Sequence, residues 1–226
     1  MKRFFLTALV SLGLSFPAFA ALYTYNGGLQ NGGTITDGSL NGLADTINVS
    51  GISQPQVSGV SVTINLSGGY NGDLYAYLSH GSGMAILLNR VGVGSASGDA
   101  FGASGSGMVI TFTTGQPNIH FALGSGTSGT FAPDGRAINP LSAPSAFDSA
   151  ATTANFSTFN NLDPNGGWTL FFADTVTGGG TPTLNSWSLD ITAVPEPINV
   201  ALGVFGLCVM GVGVGRRLCR RSCQTA

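Results

Sequence analysis

Charge is scarce in this 226-residue chain: Asp, Glu, Lys and Arg together make up 8% of it, against roughly 25% in an ordinary globular protein. Hydrophobic residues still reach 43%, so the composition is not the low-hydrophobicity, high-charge type that keeps a chain disordered. A cationic excess is also missing. The formal net charge is −2, which offers nothing to phosphates and excludes a nucleic-acid binder. Between Ala21 and Val194 there is no lysine, no glutamate and no cysteine. Lacking Glu and Lys, and rich in glycine, that stretch excludes a long helical bundle. Lacking cysteine, it cannot be stapled by disulfides.

The few charges are unevenly placed. Six of the eight Lys and Arg lie at the ends, as Lys2, Arg3, Arg216, Arg217, Arg220 and Arg221. Between Ala21 and Val194, Arg90 and Arg136 face nine aspartates, a formal charge of −7. All three cysteines, Cys208, Cys219 and Cys223, follow that stretch. The chain is therefore three unlike pieces: 1–20, 21–193 and 194–226.

The first piece opens Met1-Lys2-Arg3, runs apolar from Phe4 to Leu14, and reaches Ala18-Phe19-Ala20. A basic start, an apolar stretch and an A-x-A box describe a secretory signal peptide, with Ala18 and Ala20 marking the cleavage site. The last piece holds Val194-Pro195-Glu196-Pro197, an uncharged run Ile198–Gly215, and Arg216, Arg217, Arg220 and Arg221. As a helix the run would span roughly 27 Å, close to the hydrocarbon thickness of a bilayer, about 30 Å. The arginines behind it would keep that end in the cytoplasm by the positive-inside rule, and the prolines separate span from body. This order resembles the PEP-CTERM sorting signal of Gram-negative bacteria. The resemblance implies recognition by exosortase, a membrane protease-transpeptidase, in hosts that make exopolysaccharide. It further implies transient anchoring in the cytoplasmic membrane, then release to the cell surface or extracellular matrix. A plain single-pass anchor is the alternative.

The middle piece has the composition of strands and turns: Gly, Ser, Thr and Asn supply 82 of its 173 residues. Val60, Val62, Ile64 and Leu66 alternate with polar residues, as do Trp187, Leu189 and Ile191, the period of two of a half-buried strand. Met108–Phe112 and Asn118–Phe121 read as a pair of strands around Gly115-Gln116-Pro117. Asp73–Ser79 and Trp168–Ala173 are apolar on both faces and read as central strands. The stretch Ser125–Asn165, with Pro133, Pro140, Pro144 and Pro164, reads as a long irregular connection. Strands between Gly-rich turns predict an all-β sandwich or barrel. Eleven Phe and Trp residues supply its core.

Two segments resemble the proprotein-convertase P domain (P/Homo B). The first is the strand from Val60, followed by Tyr70-Asn71-Gly72-Asp73-Leu74, a second strand, a turn at His80-Gly81-Ser82-Gly83-Met84, and Leu87-Leu88. Gly68 stands where the family commonly has a histidine, and the Pro and Thr of the second turn are not kept. The other is Gly166-Gly167-Trp168-Thr169-Leu170, ending at Asp174, and then Leu184 and Trp187-Ser188-Leu189. The resemblance implies a jelly-roll-like β-sandwich. In proteases such domains accompany a subtilisin-like catalytic domain.

Chemistry must come from few groups. Gly126-Thr127-Ser128-Gly129-Thr130 is similar to a protease nucleophile loop, but acyl transfer also needs a His base and an orienting Asp. Only His80, in an expected turn, and His120, in an expected strand, are present, so no enzyme is expected. Aspartates are hard oxygen ligands suited to calcium. Asp73 and Asp174 match the family pattern and are the calcium candidates; the alternative is that both bond turn amides. Tyr75 and Tyr77 share one strand face and form either a sugar-stacking platform or packing under a loop; the two Trp fit the core. The expectation is a non-catalytic exported surface or matrix protein associated with exopolysaccharide. A calcium- or carbohydrate-binding module is second and a protease-associated domain third.

Overall fold

The alternation from Val60 to Leu66 lies inside a twelve-residue strand, and the pattern continues in its neighbours. The computed structural model describes residues 19–27, 29, 33–94, 100–122, 127–196 and 206. Ala18, Pro197, the apolar run 198–215 apart from Gly206, the four C-terminal arginines and the three cysteines lie outside the described residues. Among the described residues no helix is long and apolar enough to cross a membrane.

Residues Ala20–Val194 make one compact unit. Its strands are β1 (Ala21–Tyr25), β2 (Ser39–Val49), β3 (Gln56–Ser67), β4 (Leu74–His80), β5 (Gly83–Asn89), β6 (Met108–Phe112), β7 (Thr127–Phe131), β8 (Gly166–Asp174) and β9 (Thr183–Val194). One short helix, α1 (Pro144–Ser149), carries Pro144 in its first turn, where a missing N–H costs nothing. The strands form a five-stranded sheet in the order β1-β9-β3-β6-β7 and a four-stranded sheet in the order β2-β8-β4-β5. All pairs are antiparallel except β6 with β7.

The core lies between the sheets. Val60, Val62, Ile64 and Leu66 of β3 and Leu184, Trp187, Leu189 and Ile191 of β9 meet Trp168, Leu170 and Phe172 of β8 and Leu74, Ala76 and Leu78 of β4 in one buried cluster. Each Val, Leu, Ile or Phe side chain among them contributes roughly 1.5–3 kcal/mol when removed from water. The fold is thus an all-β sandwich.

β5 is buried along almost its whole length, from Ala85 to Asn89. Residues 134–154 cover it: Asp134 N–H donates to Leu87 O, Gly135 N–H to Ile86 O, and Ile86 N–H to Ala154 O. Asn89 Nδ2 donates to Arg136 O and Ile138 O. The stretch read as an irregular connection is therefore a cover for the sheet edge, and its first part is strand β7. Its pairing corrects the expected partner of Met108–Phe112. Residues Ile119–Phe121 form a 3-10 turn, because the Asn118 side chain accepts His120 N–H at 2.9 Å and donates to Pro133 O and Asp134 O. A capped turn there outcompetes the expected extended strand.

Candidate functional site

The β-sheet register brings three aspartates to one end of the four-stranded sheet. Asp174, the last residue of β8, is paired with Leu74 of β4 on one side and with Ser39 of β2 on the other. Asp73 directly precedes Leu74, and Asp37 precedes Ser39 by two residues. The Asn71–Asp73 turn is fixed by its backbone: Gly72 N–H donates to Ala103 O at 2.9 Å and Asn71 N–H to Gly105 O at 2.8 Å. At Gly72 a Cβ would collide with the carbonyl oxygen of Phe101, so the close approach of the two chains requires glycine. Across the gap, Thr175 donates both its N–H and its hydroxyl to Asp73 O, at 2.9 and 2.8 Å.

The electrostatics follow from crowding. Asp73 is 6% exposed and Asp174 fully buried. Burial, then the Asp174 and Asp37 carboxylates, push Asp73 up to about 6, against the pull of the Arg90 guanidinium. Burial also raises Asp174, partly offset by the N–H groups of Val176 and Gly38 that its carboxylate accepts. Arg90 is itself buried, which lowers its pKa; its guanidinium donates to Gly72 O and Ala100 O. Asp37 accepts Gly178 N–H on both oxygens, at 3.0 and 3.1 Å. Asp174 Oδ1 takes Val176 N–H at 3.2 Å, whereas its Oδ2 is buried without a hydrogen-bond partner. Asn71 Oδ1 is likewise buried and unpartnered.

These shifts make a pH prediction. A carboxyl at about 6 when folded and 3.8 ordinarily binds more protons folded than unfolded across that interval. Its stabilising contribution is complete below the lower value and is lost as pH rises through the upper one. In metal-free buffer Asp73→Asn should therefore gain on the wild type between pH 4 and 7, by on the order of 2–3 kcal/mol. Urea midpoints of both proteins across that range check this, and parallel profiles would refute it.

Arg90, Asn71 and Asp37 were not singled out in the sequence. Arg90 is one of only two arginines between Ala21 and Val194, which was the available signal. Asp37-Gly38 is a turn dipeptide whose place beside Asp174 depends on strand register.

The other sequence candidates do not converge. His80 is the last residue of β4 rather than part of a turn, and it is buried. Its ring lies parallel to Trp168 at 4.0 Å, with Nδ1 3.0 Å from Gly167 O and Nε2 2.6 Å from Asp163 O. His120 sits in the 3-10 turn, with Nδ1 2.7 Å from Asp134 Oδ2 and Nε2 3.0 Å from Val93 O. Ser128 is exposed on β7. Neither histidine has a ring nitrogen left for it.

Trp168 and Trp187 are core residues, at 0% and 3% exposure. Tyr75 and Tyr77 lie half-buried on the outer face of their sheet. Tyr77 stacks on Phe171 at 4.9 Å and Tyr75 meets Tyr77 edge-on at 6.0 Å, so their rings pack on each other instead of forming a flat platform. An open hollow of about 560 Å³ is lined by Thr24, Tyr25, Asn26, Gly27, Thr46, Ile47 and Asn48, with no charged group. Of the C-terminal motif, Val194 ends β9, and Pro195 and Glu196 follow it partly exposed.

No family model and no curated protein matches the chain. Among solved structures it is similar to a serine protease of Aeromonas sobria. In the protease–chaperone complex the identity is 14% and the TM-score 0.44, over 80% of this chain and 28% of the protease. For the protease alone the values are 13% and 0.43, over 78% and 27%. The chain thus spans less than a third of the length of the protease chain it matches.

Proposed function

We propose that this chain is an exported, non-catalytic surface or extracellular-matrix protein, sorted by exosortase and held among exopolysaccharide. Its exported body is a P-domain-like jelly roll. The observation that carries this reading is the order of signals around the body: a basic and apolar start ending in Ala18-Phe19-Ala20, then Val194-Pro195-Glu196-Pro197, an uncharged run and an arginine cluster. The Pro-Glu-Pro motif follows the last strand directly, so processing there removes the tail and leaves both sheets whole. The engaged ring nitrogens of His80 and His120 support a body without an acyl-transfer centre. The uncharged hollow beside Tyr25 suits a neutral glycan.

The test is the fate of the full chain in an exosortase-bearing Gram-negative host. Mass spectrometry of the mature protein should find a start at Ala21 and no residues beyond the Pro-Glu-Pro motif. Loss of exosortase, or Pro195→Ala with Pro197→Ala, should leave the tail attached in the cytoplasmic membrane. A mature protein that keeps the run 198–215 while exosortase is present would reduce the tail to a plain anchor. Retention of residues 21–194 on the host's exopolysaccharide tests the matrix association separately.

A further inference from the structure

Asparagine precedes glycine five times in the chain, at Asn26, Asn31, Asn41, Asn71 and Asn165; Asn31 and Gly32 lie outside the described residues. Such a pair reacts with itself when free to do so, because glycine has no side chain to shield its backbone nitrogen. The attack on the neighbouring amide carbon is intramolecular, and geometry sets its rate. We propose that Asn26–Gly27 is a self-modifying site, converting to aspartyl and isoaspartyl forms faster than the other described pairs. The Gly27 nitrogen gives its proton to hydroxide and bonds to Asn26 Cγ, closing a five-membered imide. The Cγ–Nδ2 bond breaks, and ammonia leaves with a proton taken from water. Water then adds across either imide C–N bond. One opening yields an aspartyl residue, the other an isoaspartyl residue whose backbone is one carbon longer.

Ring closure requires the side-chain amide and the following peptide to turn toward each other. Asn26 and Gly27 are both exposed, just past the end of β1, and a Cβ on Gly27 would meet nothing within 4 Å. The other described pairs are held. Asn71 is 1% exposed, and its Nδ2 donates to Gly107 O at 3.2 Å. The Gly72 N–H, whose nitrogen would have to attack, donates to Ala103 O at 2.9 Å. Asn165 Oδ1 accepts Ile52 N–H at 3.0 Å, and its Nδ2 donates to Ile52 O and Asp163 Oδ1, both at 2.9 Å. Gly42 lies within β2 at a left-handed φ of 61°, close against the Phe171 ring and Phe172 O. Each hydrogen bond that must first open slows the closure by roughly two- to tenfold.

The product matters because of where it forms. Asn26 and Gly27 border two hollows, one of about 560 Å³ against β2 and one of about 260 Å³ against β3 and β9. Among the described residues that line them none is charged; Thr24, Thr46, Asn48, Thr63, Asn65 and Ser186 offer only hydroxyls and amides. Conversion places a carboxylate on the wall that the two hollows share. On the exopolysaccharide reading, the hold on a neutral glycan then weakens as the protein ages. That consequence rests on the reading; the reaction itself does not.

Residues 21–194, which contain both sheets and the whole core, are incubated in mildly alkaline buffer, folded and in urea. Peptide mass spectrometry that separates aspartyl from isoaspartyl forms follows each pair. In the folded protein Asn26 should convert first, ahead of Asn41, and on the order of tenfold or more faster than Asn71 and Asn165. In urea the four rates should converge. Gly27→Ala should slow Asn26 several-fold and leave the fold unchanged, since the added methyl has room but crowds the attacking nitrogen. Conversion of Asn71 or Asn165 ahead of Asn26 in the folded protein would overturn the site. So would rate gaps that persist in urea, which would mean that the fold does not choose the pair. Asn26→Asp should be retained several-fold less than the wild type on the host's exopolysaccharide. Equal retention would refute the link to the hollows and leave the modification standing.

Discussion

Replacing Asp134 with alanine is expected to destabilise residues 21–194 by about 3–5 kcal/mol, the cost of breaking a buried charge pair from one side. Asp134 is 0% exposed. Its Oδ1 accepts Arg136 Nη1 at 3.1 Å and Arg136 N–H at 3.2 Å, and its Oδ2 is 2.7 Å from His120 Nδ1. Arg136 is itself buried, donates Nε to Phe147 O and lies 5.5 Å from the Phe121 ring centroid. Alanine would strand that guanidinium away from water without a counter-charge, and would leave the His120 nitrogen without its partner. Urea unfolding measures the loss. Asp134→Leu combined with Arg136→Met should recover much of it, because removing both charges removes the desolvation cost together with the attraction. A loss below about 1 kcal/mol for Asp134→Ala would show that the pair behaves as a solvated surface contact.

That network also explains which parts of the fold were legible in the sequence. Strands β3 and β9 were readable because each buries one face only, and period-two alternation records it. The core of β8 and β4 was readable as apolar runs. β2 was not, because an inward-facing position holds Asp45, 6% exposed, whose Oδ2 accepts Trp187 Nε1 at 2.7 Å and Leu29 N–H at 2.6 Å. A buried carboxylate held by partners 142 and 16 residues away interrupts the apolar pattern, and nothing local announces those partners. β7, Thr127-Ser128-Gly129-Thr130-Phe131, has a single large apolar residue and exists through parallel pairing with β6. Asn118–Phe121 has strand-like composition, but the Asn118 side chain bonds its own turn and redirects the chain.

The acidic end was legible to the same limited depth. Asp73 and Asp174 stood out because each sits in a motif with its own strand. Their adjacency is a consequence of β4–β8 pairing, and Asp37 joins them only through β2–β8 pairing. A sequence shows which aspartates border strands; register decides which of them share an end. The unpartnered Asp174 Oδ2 is a further step removed, since it depends on which N–H groups the neighbouring turns leave unaimed.

Trp168→Ala should cost about 3–5 kcal/mol, the range for emptying a large aromatic site in a core. The indole is fully buried, with the His80 ring parallel to it at 4.0 Å and Phe159 tilted against it at 5.0 Å. Its Nε1 donates to Pro164 O at 2.9 Å, so alanine leaves both a cavity and a buried carbonyl without its donor. Trp168→Phe restores most of the volume but not the donor, and should cost distinctly less than alanine. Urea unfolding followed by circular dichroism ranks the two, and equal losses would mean that the hydrogen bond outweighs the cavity.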